Sequence, residues 1–244
     1  MKTLLRKAGL TSLIDACVWS LPSPAGYFKM GGPGVFGTYV AYPYEPEVVN
    51  ILVNLVRRGW ICADVGAHLG YYTLLLAKLT GAEGKVFSFE ALPENAYWLK
   101  RNVHLNALDE RVVVENLAVA EETGVRELRA PEHYTNEWSL VRGAPHGQSV
   151  SVSVTTLDTY FAQGPRLHFI KLDVEGAECL VLQGARSVLK RDRPLLLLEL
   201  HGEEGRSSVL MLEELDYQCF SLEGERLSTS SLPRYVLART QEQV

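Results

Sequence analysis

Ile61-Cys62-Ala63-Asp64-Val65-Gly66-Ala67-His68-Leu69-Gly70-Tyr71-Tyr72 is the stretch whose reading decides the fold. Ile61 to Val65 is short, apolar and carries an acid near its end, which reads as a buried strand. Tyr72 to Leu79 runs on without glycine or proline, as a helix does. Between them, Gly66 and Gly70 permit a sharp turn and a close backbone approach to a ligand, and the helix start offers unpaired N–H groups. Asp64 separates this loop from the dinucleotide fingerprint Gly-x-Gly-x-x-Gly. A carboxylate at the strand exit repels a pyrophosphate and suits a ligand that brings an ammonium or hydroxyls.

A second acid follows where an α/β sheet would use one. Lys85 to Glu90 alternates and is rich in aromatics, so it predicts a second strand ending in Glu90. An acid there can accept both ribose hydroxyls of an adenosine lying across the sheet edge, about 20 residues past the glycine loop. Either acid alone is an ordinary strand-end carboxylate. Together, at this spacing, they favour nucleoside binding.

The remaining elements extend the same plan. Lys2 to Trp19 has a broad apolar side and predicts a helix that packs on the body of the protein, covers a substrate or joins a dimer. Leu21 to Gly37, with three prolines and five glycines, predicts a loop or irregular hairpin. Tyr39, Tyr42 and Tyr44 either pack or line a binding mouth. Pro46 to Arg58 and Pro93 to Asn106 read as helices opened by proline, and Val112 to Glu115 as a strand. Asn116 and Ala118, just past that strand, stand where a third loop would meet a base edge. Asn116 reads equally well as a turn residue. Val125 to Ala130 and Ser149 to Val154 predict a hairpin whose long loop holds His133, Asn136, Glu137, Trp138, Ser139 and His146, and loops of this length are often functional. Leu167 to Asp173 and the apolar run Leu195 to Glu199 predict two buried parallel strands. Gly205 to Leu215 is a helix, and Tyr217 to Leu222 with Arg234 to Arg239 are two closing strands, one antiparallel to the rest.

Length and composition suit this plan. The 244 residues fit one α/β domain, with residues 1–45 as an extension and lid and 46–244 as its core. With 47% hydrophobic and 22% charged residues the chain is of ordinary globular composition, and a net charge of −5 argues against a broad nucleic-acid surface. Cys17, Cys62, Cys179 and Cys219 show no paired spacing and predict buried thiols in a reducing, cytoplasmic setting. Lys2, Arg6 and Lys7 precede an apolar stretch, but Asp15 interrupts it and no cleavage site follows. No run approaches the roughly 20 apolar residues of a membrane span, so a soluble chain is expected.

Asp64 to Tyr72, Phe89-Glu90-Ala91-Leu92-Pro93 and Ile170-Lys171-Leu172-Asp173-Val174-Glu175-Gly176-Ala177-Glu178 together resemble the FkbM-type family of S-adenosylmethionine-dependent methyltransferases, over about Tyr44 to Leu200. The resemblance implies a doubly wound, Rossmann-like class I methyltransferase sheet of order 3-2-1-4-5-7-6 with an antiparallel last strand and a hairpin insertion after strand 3. It implies S-adenosyl-L-methionine as cofactor and O-methylation of a small hydroxylated acceptor, such as a sugar or polyketide-like metabolite; a homodimer is the one partner arrangement the sequence leaves open. The expected cofactor contacts are Asp64, Gly66, Ala67, His68, Gly70, Tyr72, Glu90, Ala91, Leu92, Asn116, Ala118 and Asp173, with Asn136 and Ser139 from the long loop. An NAD-dependent oxidoreductase would need the Gly-x-Gly turn that is missing here. A cofactor-binding module without turnover is the non-enzymatic alternative.

In an open sheet the ligand crevice lies where strand order reverses, which brings Asp64 and Asp173 together. Lys171, Asp173 and Glu175 share parity at one strand exit, and Glu178 in the next helix turn suits the helix dipole. Glu199 and His201 share a face at the following exit. Asp173, Glu175, Glu199 and His201 are therefore the catalytic candidates for a methyl transfer that needs alignment and a proton acceptor. His201 or one of the carboxylates serves as base, or the group holds a hard cation such as Mg²⁺ at Asp173 and Glu199.

Overall fold

The computed structural model describes residues 17–40, 43–130, 138–143, 147–202, 204–228 and 232–241. Its centre is a seven-stranded sheet. The fold-deciding stretch supplies β3 (Ile61–Val65), and the helix Tyr71–Thr80 leads to β4 (Lys85–Phe89). The helix Pro93–Leu105 then leads to β5 (Val112–Glu115), and β9 (Phe169–Leu172) and β10 (Leu195–Glu199) lie on the other side of β3. All of these neighbours pair in parallel. The sheet is closed by β12 (Tyr235–Thr240), antiparallel to both β10 and β11 (Tyr217–Phe220), giving the order β11-β12-β10-β9-β3-β4-β5. Order reverses between β3 and β9, where Asp64 pairs in register with Lys171 and Val65 with Leu172.

Every residue of β9 and β10 is buried, as a parallel strand covered on both faces requires. One apolar cluster gathers side chains from the helices Pro46–Leu55, Tyr71–Thr80 and Pro93–Leu105 on one face. A second gathers those of Leu157–Tyr160, Glu178–Gln183, Arg186–Asp192 and Glu204–Glu214 on the other. Among the described residues no helix is long and apolar enough to cross a membrane.

Two further pieces attach to this sheet. β6 (Ala118–Val119) runs parallel to β8 (Ser149–Thr155), which pairs antiparallel with β7 (Gly124–Arg129). Residues 131–137 and 144–146 of the intervening loop, including His133, Asn136, Glu137 and His146, lie outside the described residues. At the N-terminus, β1 (Val18–Ser23) and β2 (Gly26–Gly31) form an antiparallel hairpin. Val18 and Trp19 are thus strand, not the end of a helix. Both are good strand formers whose helical periodicity is outweighed by cross-strand pairing with Gly31 and Met30. The rest of the expected helix, residues 1–16, lies outside the described residues, as does Tyr42.

Asn102 fastens this hairpin to the sheet. Fully buried, it accepts from Gly31 N–H at 2.8 Å and donates to Gly31 O at 3.0 Å and Leu69 O at 2.8 Å. Asn102→Ala leaves three buried backbone groups without partners. At about 1–3 kcal/mol for a buried group so stranded, partly relieved by relaxation, the expected loss is roughly 3 kcal/mol. A denaturant titration should show a lower midpoint with unchanged slope, and an unchanged midpoint would rule out the fastening role.

Candidate active site

A cavity of about 450 Å³ opens at the carboxyl ends of β3, β4 and β9, within the size range of small-molecule sites. Gly66 turns the chain out of β3 at φ 82°, its N–H and that of Ala67 both donating to Phe89 O at 3.0 Å. A Cβ on Gly66 would lie 1.7 Å from the carbonyl oxygen of Asp173, and one on Gly70 would lie 2.5 Å from Leu99 Cδ1. The chain's own packing therefore requires a glycine at Gly66, which also lines the cavity, and leaves little room for a side chain at Gly70.

Glu90 faces the cavity at the exit of β4 while only 8% exposed. Its Oε2 accepts from His68 N–H at 2.7 Å and its Oε1 from Leu92 N–H at 2.9 Å. Burial pushes its carboxyl up to about 7, and these N–H donors pull the other way. Beyond it, Leu117, Ala118, Val119, Leu128, Trp138 and Leu140 form an apolar wall. A buried carboxylate beside an apolar slot is chemistry for a ribose and a flat base.

Asp64 is fully buried and does not line the cavity. Thr73 Oγ1 donates to its Oδ2 at 2.6 Å and lies 2.9 Å from Ser88 Oγ, whereas Oδ1 has no partner among the described residues. Burial raises its pKa; the Lys171 charge and the Thr73 bond oppose the rise. Lys171, 3% exposed, donates to Asp173 Oδ2 at 3.0 Å and sits 4.7 Å above the Tyr72 ring. Burial disfavours its charge, but Asp173 and Asp64 outweigh burial and raise its pKa. The Asp64 and Asp173 carboxylates thus flank one buried cation, and Asp173 turns toward the cavity.

The opposite wall comes from the N-terminal segment, through Thr38, Tyr39 and Tyr44. The Tyr39 hydroxyl lies 3.0 Å from His68 Nδ1, and its ring stacks on Tyr71 at 5.4 Å. Burial, reinforced by Lys171, holds the His68 imidazole down near 4, so it is neutral and can accept that hydrogen bond.

His201 stands behind Asp173 and Glu175. Its Nδ1 lies 2.8 Å from Glu178 Oε1, and its Nε2 lies 3.3 Å from Glu199 Oε1 and 3.4 Å from Glu175 Oε2. Burial works against its charge, but the bonds to Glu178 and Glu199 outweigh it and push the imidazole up to about 10. Both ring nitrogens therefore face carboxylates, and the ring does not itself line the cavity. Glu199 is opposed by burial but held down to about 2 by His201 and Arg234, whose Nε donates to Oε1 at 2.6 Å.

Of the sequence-predicted contacts, Gly66, His68, Glu90, Ala91, Ala118, Asp173 and Glu175 line the cavity. The others serve the frame. Ala67 braces β4 through its N–H, and Leu92 N–H holds Glu90. The Tyr72 hydroxyl donates to Glu45 Oε2. Asn116 Nδ2 donates to the carbonyls of Glu90 and Ala91, so it shapes the loop. Ser139 Oγ donates to Glu175 O at 2.7 Å and accepts from Val141 and Arg142 N–H, so it ties the long loop to the β9 exit. Glu199 and His201 do not line the cavity, and Asn136 lies outside the described residues. Asn95 and Leu140 also line the cavity, unsignalled in the sequence. Asn95 sits two residues after Pro93 on the helix that faces Glu90, a position that helix geometry could have singled out.

A family model described as Methyltransferase FkbM domain matches residues 64–219. No curated protein matches the chain. Among solved structures, methyltransferase FkbM from Methylobacillus flagellatus KT is similar at 22% identity and a TM-score of 0.52, over 76% of this chain and 45% of that one. This chain thus spans less than half of that protein. An SAM-dependent O-methyltransferase from Thermotoga maritima is similar at 14% identity and a TM-score of 0.48, over 91% of this chain and 77% of that one. The first likeness is one of fold, an α/β methyltransferase-like arrangement around a central mixed sheet.

Proposed function

Since the chain belongs to the FkbM methyltransferase domain family, we propose that it transfers a methyl group from S-adenosyl-L-methionine to a hydroxyl of a small acceptor. The observation that carries this reading is Glu90, a buried carboxylate that faces a cavity between an apolar wall and the Asp173 carboxylate. Glu90 accepts the ribose hydroxyls and the wall of Leu117 to Leu140 takes the base. Asp173, His68 and the Gly66 turn hold the amino-acid end. When bound, the cofactor supplies an electrophilic methyl on a sulfonium.

What remains for the chain is to align the acceptor and manage one proton. Besides Glu90, Asp173 and Glu175 are the carboxylates that reach the cavity, so they accept the hydrogen bond of the acceptor hydroxyl. Lys171 pairs with Asp173 and orients it. Tyr39 and Trp138 cover the site from either side and reduce access of water. Glu199 and His201 act behind Asp173 and Glu175.

Calorimetric titration with S-adenosylhomocysteine tests the cofactor class. Saturable binding is expected, with none for NAD; the opposite pattern would end the proposal. Asp173→Asn should depress turnover more than cofactor affinity, because its charge serves the acceptor as well as the cofactor. Wild-type turnover in that variant, measured with any accepted hydroxyl compound, would remove Asp173 from the mechanism.

A further inference from the structure

We infer that Asp173, Glu199 and His201 form a binding site for a divalent first-row transition metal of the Mn²⁺ class, set beside the acceptor end of the cavity. One ligand atom from each of the three lies within 4.8 Å of the others, close enough to meet on a single ion. The three come from the exits of the adjacent parallel strands β9 and β10, so the sheet itself holds the spacing.

Each residue also keeps a donor atom for an ion. Lys171 takes Asp173 Oδ2, and Arg234 and His201 both fall on Glu199 Oε1. Among the described residues this leaves Oδ1 of Asp173 and Oε2 of Glu199 open. His201 is aimed by a buried partner: Glu178, 0% exposed, meets Nδ1 through the same Oε1 that accepts from Gly176 N–H at 3.0 Å. A metal-bound histidine characteristically gives its second ring nitrogen to a carboxylate, which fixes the tautomer and turns the free lone pair toward the ion. Here the nitrogen left for an ion is Nε2, which faces Glu199 and Glu175, and an ion bound there would take the place of the proton that the ring otherwise shares with them.

A separate observation points to a cation. Glu178 Oε2 belongs to the same fully buried carboxyl and has no partner among the described residues. Glu175, Glu178 and Glu199 thus surround one imidazole, with Arg234 and Lys171 each already paired to a carboxylate. A dication on Nε2 would offset that excess negative charge. One imidazole nitrogen with two carboxylate oxygens suits Mn²⁺, Fe²⁺ or Zn²⁺ better than Mg²⁺, which favours an all-oxygen shell. This revises the metal expected from sequence. Three protein ligands would leave room for further ligands on the ion, and Asp173 borders the cavity from which one could come. An acceptor hydroxyl bound there would be acidified by the ion. An acceptor with two neighbouring hydroxyls, able to chelate, is the matching substrate class. That last step rests on the proposed methyl transfer, whereas the ion site does not.

The test is Mn²⁺ titration of the chelator-treated full chain, read by the electron paramagnetic resonance signal of free Mn²⁺, with S-adenosylhomocysteine binding measured on the same samples. One Mn²⁺ per chain is expected, displaced by Zn²⁺ more readily than by Mg²⁺. Asp173→Asn and His201→Gln should each weaken it about tenfold or more. Because Asp173 also pairs with the buried Lys171, thermal unfolding of each variant checks that the fold is retained before binding is compared. An undiminished free signal at millimolar Mn²⁺ in the wild type, or equal binding in both variants, overturns the site. Mn²⁺ binding without S-adenosylhomocysteine binding supports the site and tells against the proposed function alone.

Discussion

Gly66→Ala is expected to lower the unfolding free energy by about 4 kcal/mol, from roughly 1–2 for a left-handed backbone on a residue with a Cβ and about 1–3 for overpacking. The upper part of that range applies because the added carbon would lie 1.7 Å from Asp173 O, a backbone atom of a buried strand exit that has no rotamer to change. Relief requires β3 and β9 to separate where Val65 pairs with Leu172. The same separation would displace Asp173 from the cavity, so any variant that folds should also bind S-adenosylhomocysteine weakly. Equilibrium urea unfolding measures the first effect and calorimetry the second. A loss of less than about 1 kcal/mol would show that the exit loop can shift cheaply, and the packing account of Gly66 would fail.

Glu90→Ala should weaken S-adenosylhomocysteine binding by about 1.5–3 kcal/mol, the range for hydrogen bonds to a charged group, or roughly 10- to 100-fold. The pH dependence separates this from general damage to the loop. In the folded chain the Glu90 carboxyl titrates near 7, against an ordinary value of 4.5. The folded chain therefore takes up this proton first, and between those values a fall in pH stabilises the fold while a rise removes that contribution. Binding runs the opposite way, because hydroxyl donors prefer the carboxylate. Affinity in the wild type should increase as pH rises through about 7 and then level off. Glu90→Gln, which keeps one acceptor oxygen without the charge, should flatten this step while retaining part of the affinity. A wild-type profile flat from pH 6 to 8 would sink the assignment.

The parts of this chain legible in its sequence are those set by local chemistry. Ile61 to Val65 and Leu195 to Glu199 announce buried strands because nothing else makes so short an apolar run between breakers. Glu90 and Asp173 stand out because an acid at the end of such a strand must meet something. The roles that escaped the sequence are set by long-range contacts. Asn116, Tyr72 and Ser139 have the right chemistry in the right loops, yet their polar atoms satisfy Glu90 O, Glu45 and Glu175 O. Val18 and Trp19 suit a helix face as well as a strand, and only pairing with Gly31 and Met30 decides between them. Gly66 was visible as a turn, but the atom that forbids its side chain belongs to a strand more than a hundred residues away. His201 was visible as a possible base, and the three carboxylates that surround its ring come together only when β9 and β10 are side by side.

The two walls of the cavity are unequal partners. Glu90, Asp173 and the apolar slot sit on or beside the strands, within residues 64–219, whereas Thr38, Tyr39 and Tyr44 precede that span. The front wall is joined to the rest by the buried side chains of Leu21, Phe28, Met30 and Val35 and by bonds such as Asn102 to Gly31 and Tyr39 to His68. Such a wall is an interchangeable part: grafting a foreign segment in place of residues 17–45, with the anchoring and core residues kept, should alter which acceptors enter while the Glu90 side of the cavity stays as it was.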